Sequence, residues 1–271
     1  MPTRFLNVSP ISQAKKTHQA AVTPDADIDL VASRVYFDFD NTITTFDVLD
    51  AIIEQFSVDR EWVAYEEAWR AGDIGSKECL EGQLRSIRGT KESLTEYLST
   101  VTLDAHFKRL LSLLQDAGIR PVILSDSFTF FISSILRNND VKGISVYANR
   151  LRLYEDRLIP SFPHTNHLCS HCAHCKTNNF SSSGTAEKSI IYIGDGLSDV
   201  CPAQHADLVF AKSTLLGHFR KAKRYCVAFN DLGDVYNYFR EHIISRKFAR
   251  STNGHVSRQI YYCHTTTPNS T

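Results

Sequence analysis

The sequence lacks what a membrane or a polyanion would need to hold it. Thirty basic residues balance thirty acidic ones for a formal net charge of zero, so no field of one sign is offered to nucleic acid or an anionic bilayer. The apolar runs fall well short of the ~20 residues that cross a bilayer. Residues 1–30 have no continuous apolar stretch of the secretory kind, although their polar, basic character leaves an organellar presequence open. They are expected to form a disordered leader, and the polar, aperiodic residues 251–271 a loose tail. The seven cysteines are odd in number, and three crowd into Cys169–Cys175. That pattern argues against a disulfide framework and for reduced thiols in a cytoplasmic protein.

What the chain does have is a recurring alternation. Apolar runs of strand length stand at Val35–Phe39, Arg120–Asp126, Ser189–Asp195, Asp207–Lys212 and Tyr225–Phe229, with helical segments between them. Near-continuous apolar strands alternating with helices predict a doubly wound α/β core around a parallel sheet. Between the first two runs lie about eighty residues, far more than one crossover helix requires. They read as helices over Val48–Phe56, Arg60–Ala71, Lys77–Ile87, Lys91–Leu98 and Asp104–Asp116. The expected division is a core of residues 31–46 and 110–250 with an inserted helical cap at 47–109.

The carboxylates fall at the ends of those strands. Asp38 and Asp40 close the first run with only Phe39 between them. Two like charges at the tip of a buried strand raise each other's pKa, so the site must hold a proton or a cation. Ser125, Asp126 and Ser127 close the second run, and the loop GDGLSD places Asp195 and Asp199 after another. In open α/β sheets ligands sit outside the carboxyl ends of the strands. These residues are therefore expected on one edge, around a metal or an acid–base centre.

The order DFDNT, LSDS, IGDGLSD resembles the haloacid dehalogenase superfamily of aspartate-nucleophile phosphatases, from Val35 to about Asn230. The resemblance implies Mg²⁺ and a fixed division of labour. Asp38 would be the nucleophile that forms an aspartyl-phosphate, and Asp40 the general acid and then the base. Asp195 would complete the metal site with Asp38 and the main-chain carbonyl of Asp40. Ser125 would hydrogen-bond the phosphoryl group, and Asp199 would support the metal or the catalytic lysine. Where phosphoserine phosphatases usually carry Asn in the last loop, this chain has Ser198. For the lysine, Lys188 precedes the strand ending at Asp195 and so lies some ~20 Å from the chemistry, at the opposite edge. Lys176 starts at the correct edge and is the expected residue.

The insert directly after DFDNT is similar to the branch that holds phosphoserine phosphatase, phosphoethanolamine/phosphocholine phosphatase and the MtnX-like phosphatases of methionine salvage. The segments Glu66–Leu84 and His167–Lys176 favour the MtnX-like group. The substrate implied is a small phosphorylated metabolite, with the other two activities as alternatives and phosphotransfer to another acceptor left open. Asp47 matches a position that contacts substrate in phosphoserine phosphatases, and Asp126 is a further substrate candidate. Cys169, Cys172, Cys175 and His171 have spacings able to close a structural Zn²⁺ site, which leaves a zinc-knuckle binding protein with a vestigial core as the reading from another class. Trp62, Tyr65 and Trp69 are expected to pack the cap, His218–Arg224 to cover a solvated helix end, and Cys79, Cys201 and Cys226 to act as small buried hydrophobes.

Overall fold

The computed structural model describes residues 27–29, 33–169, 171–181, 189–245 and 247–249. The strands in chain order are β1 (Asp27–Asp29), β2 (Arg34–Phe37), β3 (Val122–Phe128), β4 (Ser145–Tyr154), β5 (Arg157–Ser161), β6 (Ile190–Gly194), β7 (Leu208–Ala211), β8 (Val227–Ala228) and β9 (Lys247–Ala249). The helices are α1 (Val48–Phe56), α2 (Glu61–Ala71), α3 (Ser76–Gln83), α4 (Lys91–Ser99), α5 (Phe107–Asp116), α6 (Thr129–Asn138), α7 (Asn178–Ser181), α8 (Val200–Gln204), α9 (Ser213–Lys221) and α10 (Leu232–Ser245). Among the described residues no helix is long and apolar enough to cross a membrane.

Seven strands form one sheet in the order β5-β4-β3-β2-β6-β7-β8. All its pairings are parallel except β4 with β5. Strand side chains alternate between two buried faces. Val35 and Phe37 of β2, Ile191 and Ile193 of β6, and Leu208 and Phe210 of β7 enter the larger core. Tyr36, Tyr192 and Val209 enter the smaller one. α5 covers the larger core with Phe107, Leu110, Leu111 and Leu114, a stripe at helical spacing. α9 covers the smaller one with Leu215 and Phe219.

β2 sits between β3 and β6, so the three runs that end in acidic or hydroxyl residues are neighbours. The chain turns sharply after Asp40, where Asn41 takes φ 52°, a left-handed value that Asn tolerates better than most residues. Asp47 then starts α1, its side chain accepting from Asp50 N. α1 to α4 follow before α5 returns to the sheet.

The expected strands are all present, but two further strand pairs were not foreseen. β4 and β5 form an antiparallel hairpin on the sheet edge. Leu151 and Leu153 face the core while Arg150 and Arg152 are exposed, a period-2 pattern legible in RLRLY. β1 and β9 pair with each other in a separate two-stranded sheet, so residues 27–29 of the expected leader are ordered; the rest of that leader and the expected tail at 251–271 lie outside the described residues. Trp62 packs against the larger core. Trp69 instead lines the cavity described below.

Candidate active site

The sheet edge carries a buried ion cluster. Lys176 Nζ donates to Asp38 Oδ1 and to Asp199 Oδ1, each at 2.7 Å, and to Ser198 Oγ at 3.2 Å. The lysine side chain is 1% exposed. Burial alone would lower its pKa, but the surrounding charges, Asp199 and Asp38 foremost, hold it well above the usual range. Lys176 is therefore charged. Burial and then the Asp199 charge push the Asp38 carboxyl upward, with Lys176 acting against them. Lys188 lies outside the described residues.

Asp199 is saturated by protein donors. Oδ1 accepts from Lys176 and, at 2.6 Å, from the Tyr192 hydroxyl; Oδ2 accepts from Asp195 N and Gly196 N at 2.9 and 3.0 Å. The loop can fold back this far because Gly194 has no side chain: a Cβ there would stand 2.5 Å from Asp199 Oδ2. Asp195 receives the amide of Asn41 and the hydroxyl of Thr42. Its carboxyl is raised by burial and then by Asp199.

Carboxyl oxygens of Asp38, Asp195 and Asp199 lie within 4.8 Å of one another, the one metal-sized group of His, Cys, Asp or Glu side chains among the described residues. The donors are hard oxygens, which suit Mg²⁺, and Lys176 offsets only part of their charge. Because the hydrogen bonds of Asp199 are already made, Asp38 and Asp195 fit a direct cation better than Asp199 does. Asp199 instead orients Lys176 and the loop.

Asp40 accepts from Val48 N at 3.0 Å. Burial raises its pKa to about 7, against the backbone bonds from Val48 and Leu49. Ser125 is buried, its Oγ accepting from Ser127 N at 3.0 Å. Asp126 Oδ2 accepts from Ser76 Oγ at 2.9 Å, and burial raises that carboxyl's pKa. A cavity of about 300 Å³ stands over these groups. Its core side includes Asp38, Asp40, Ser125, Asp126 and Asp195, and its other side Asp47, Leu49, Trp69, Arg70, Leu80 and Gln83 from α1 to α3.

Every carboxylate and hydroxyl expected at this edge is there, and Lys176 with them. The zinc expectation is not supported: Cys169, Cys172, Cys175 and His171 do not come together in a metal-sized group. The run is built into the fold instead. His174 is buried, with Nδ1 2.9 Å from Ser125 O and Nε2 2.8 Å from Asn179 Nδ2. The carbonyl must accept from Nδ1–H, so Nε2 accepts from Asn179, and burial drops the imidazole's pKa to about 3. Cys175 Sγ lies 3.1 Å from Thr177 Oγ1. Asn41, Thr42, Tyr192, Arg70 and Ser76 are site residues that the sequence did not disclose. Only Asn41 and Thr42 carried a signal, their place directly after Asp40.

A family model described as Putative Phosphatase matches residues 33–215. A 2-hydroxy-3-keto-5-methylthiopentenyl-1-phosphate phosphatase of Brevibacillus brevis is 28% identical over 186 residues, covering 67% of this chain and 83% of that protein. A phosphoserine phosphatase of Archaeoglobus fulgidus is 25% identical, covering 65% of this chain and 51% of that protein. The solved structure of a phospho-aspartyl intermediate analogue of phosphoserine phosphatase superposes with a TM-score of 0.60 at 17% identity, covering 76% of this chain and 98% of that one. That last likeness concerns the fold.

Proposed function

The chain belongs to this putative phosphatase family, and on that premise we propose that it hydrolyses a small phosphate monoester through an aspartyl-phosphate on Asp38. The observation that carries the reading is the buried contact of Lys176 with both Asp38 and Asp199 beneath the cavity. A cation-stabilised carboxylate facing an enclosed space is what attack on an anionic ester needs. Asp38 and Asp195, with the main-chain carbonyl of Asp40, would hold Mg²⁺. When bound, the ion screens the repulsion between nucleophile and ester.

The protein's own groups then divide the work. Asp38 attacks phosphorus, and Asp40, with its pKa near neutrality, gives its proton to the leaving oxygen and later takes one from the attacking water. Lys176 balances charge on the transferring group. The Ser125 hydroxyl, fixed by its bond from Ser127 N, donates to a phosphoryl oxygen. α1 to α3, within the stretch read as the cap over residues 47–109, enclose the rest of the substrate, with Asp47 on the cavity wall.

The similarity to 2-hydroxy-3-keto-5-methylthiopentenyl-1-phosphate phosphatases supports a substrate of that class. On the side of the inserted helices the cavity is mixed, with Leu49, Trp69 and Leu80 beside Asp47, Asp50, Glu66 and Arg70, so the choice of substrate rests on that similarity. The test is phosphate release from a panel containing this ester, O-phosphoserine, phosphoethanolamine and phosphocholine, with and without Mg²⁺. Mg²⁺-dependent release with the highest kcat/KM for the ketone ester is expected. No release from any member would end the reading, and preference for an amino ester would move it to another branch.

A further inference from the structure

We infer that Ser76 is a positioning residue whose single hydroxyl makes docking of the cap the event that fixes the loop carrying Lys176. The inference rests on reading Asp38 and Lys176 as the catalytic pair. Ser76 opens α3, on the cap side of the cavity, and its Oγ joins three parts of the molecule. It donates to Asp126 Oδ2 at 2.9 Å, directly after Ser125 at the end of β3. It accepts from Ala173 N at 2.9 Å, three residues before Lys176. A hydroxyl has one proton and two lone pairs, so both bonds are made at once without competition.

The neighbouring residues press the same surfaces together. A Cβ on Gly75 would stand 2.2 Å from His171 O, so only glycine allows the cap backbone to approach the loop this closely. Lys77 N donates to that same carbonyl at 3.3 Å, and Lys77 Nζ stands 5.9 Å from the centre of the Phe162 ring. From the other side, His174 ties the loop to Ser125 O at 2.9 Å. The segment His171–Cys175 is thus held between the cap and the strand end that would bind phosphate. If the cap lifts, Ala173 N and Asp126 lose their shared partner, and the stretch leading into Lys176 keeps only its core-side ties. Charge balance by Lys176 would then be complete only over an enclosed substrate.

The test uses the full chain with Mg²⁺ and p-nitrophenyl phosphate as substrate. Ser76→Ala should lower kcat/KM about tenfold or more, because it removes a bond to a carboxylate and leaves a buried acceptor and an amide unpaired. Ser76→Thr, which keeps the hydroxyl, should recover most of that loss. Hydrogen exchange should quicken at Ala173 in Ser76→Ala and stay unchanged in β2 and β6. In the wild-type protein, inorganic phosphate should slow exchange at Lys77 and Ala173 together. Wild-type kinetics in Ser76→Ala, or separate responses of Lys77 and Ala173 to phosphate, would overturn the inference. Lys176→Ala separates it from its premise. Activity there would sink the catalytic pair, whereas an inactive Lys176→Ala beside a wild-type Ser76→Ala would sink only the positioning role.

Discussion

Lys176 carries the largest consequences of any single side chain. Both of its carboxylate partners are buried, Asp199 at 0% and Asp38 at 9% side-chain exposure. Lys176→Ala is therefore expected to cost several kcal/mol of transition-state stabilisation and, because two buried charges lose their partner, about 3–5 kcal/mol of stability. Phosphate release and a urea midpoint measured on one preparation would separate the two losses; an active, fully stable variant would contradict both. Lys188→Ala should change stability by no more than about 0.5 kcal/mol and leave the rate alone. Asp38→Asn should abolish turnover and keep the fold, since an amide cannot attack phosphorus and Lys176 retains Asp199. Turnover surviving in that variant would assign the nucleophile elsewhere.

Asp40 adds a pH signature. Its folded pKa of about 7 lies above the ordinary 3.8, so ionisation is harder in the folded state than in the unfolded one. Its penalty is absent below about pH 4, grows as pH rises toward 7 and is complete above that. The metal-free wild type should lose stability across that window more steeply than Asp40→Asn, as followed by urea midpoints. Parallel curves would mean that Asp40 titrates normally.

Among elements, the turn from β6 into the GDGLSD loop is tightly constrained. Gly194 has room for no Cβ beneath Asp199, and Asp199 in turn orients Lys176. Gly194→Ala should displace the carboxylate, lower phosphate release sharply and cost about 1–3 kcal/mol, the usual range for overpacking. A melting curve and a rate assay at wild-type values would show that the loop relaxes freely. Element identity was largely legible in the sequence, because a strand buried on both faces must be almost continuously apolar, as Ile190–Gly194 is. The β4–β5 hairpin carries only the short alternation RLRLY as a signal, because its exposed face is arginine-rich and its turn at Glu155, φ 54°, is not a glycine.

At the scale of the whole molecule, the sheet concentrates negative charge at one edge and covers it with the helices inserted after β2. A bound divalent cation would offset that charge only in the folded state, so Mg²⁺ should raise the melting temperature. The gain is about 2.7 kcal/mol at a hundred times its dissociation constant. Asp195→Asn should abolish the shift, and equal shifts in wild type and variant would place the ion elsewhere.

The sequence alone determined the alternation of strands and helices and the residue types at each strand end. These are local: burial dictates composition, and strand direction dictates which end a carboxylate occupies. By that same logic Lys176 could be chosen over Lys188. Tertiary structure alone decided the partners. The spacing of Cys169, Cys172, Cys175 and His171 cannot tell a metal knuckle from a loop locked by His174, because ligand geometry depends on how the chain returns in space. Nor can it reveal that Ser76, nearly a hundred residues from Ala173, supplies that loop's acceptor. Contacts across such separations come from the order β3-β2-β6 and the docking of α3, and no local pattern records either.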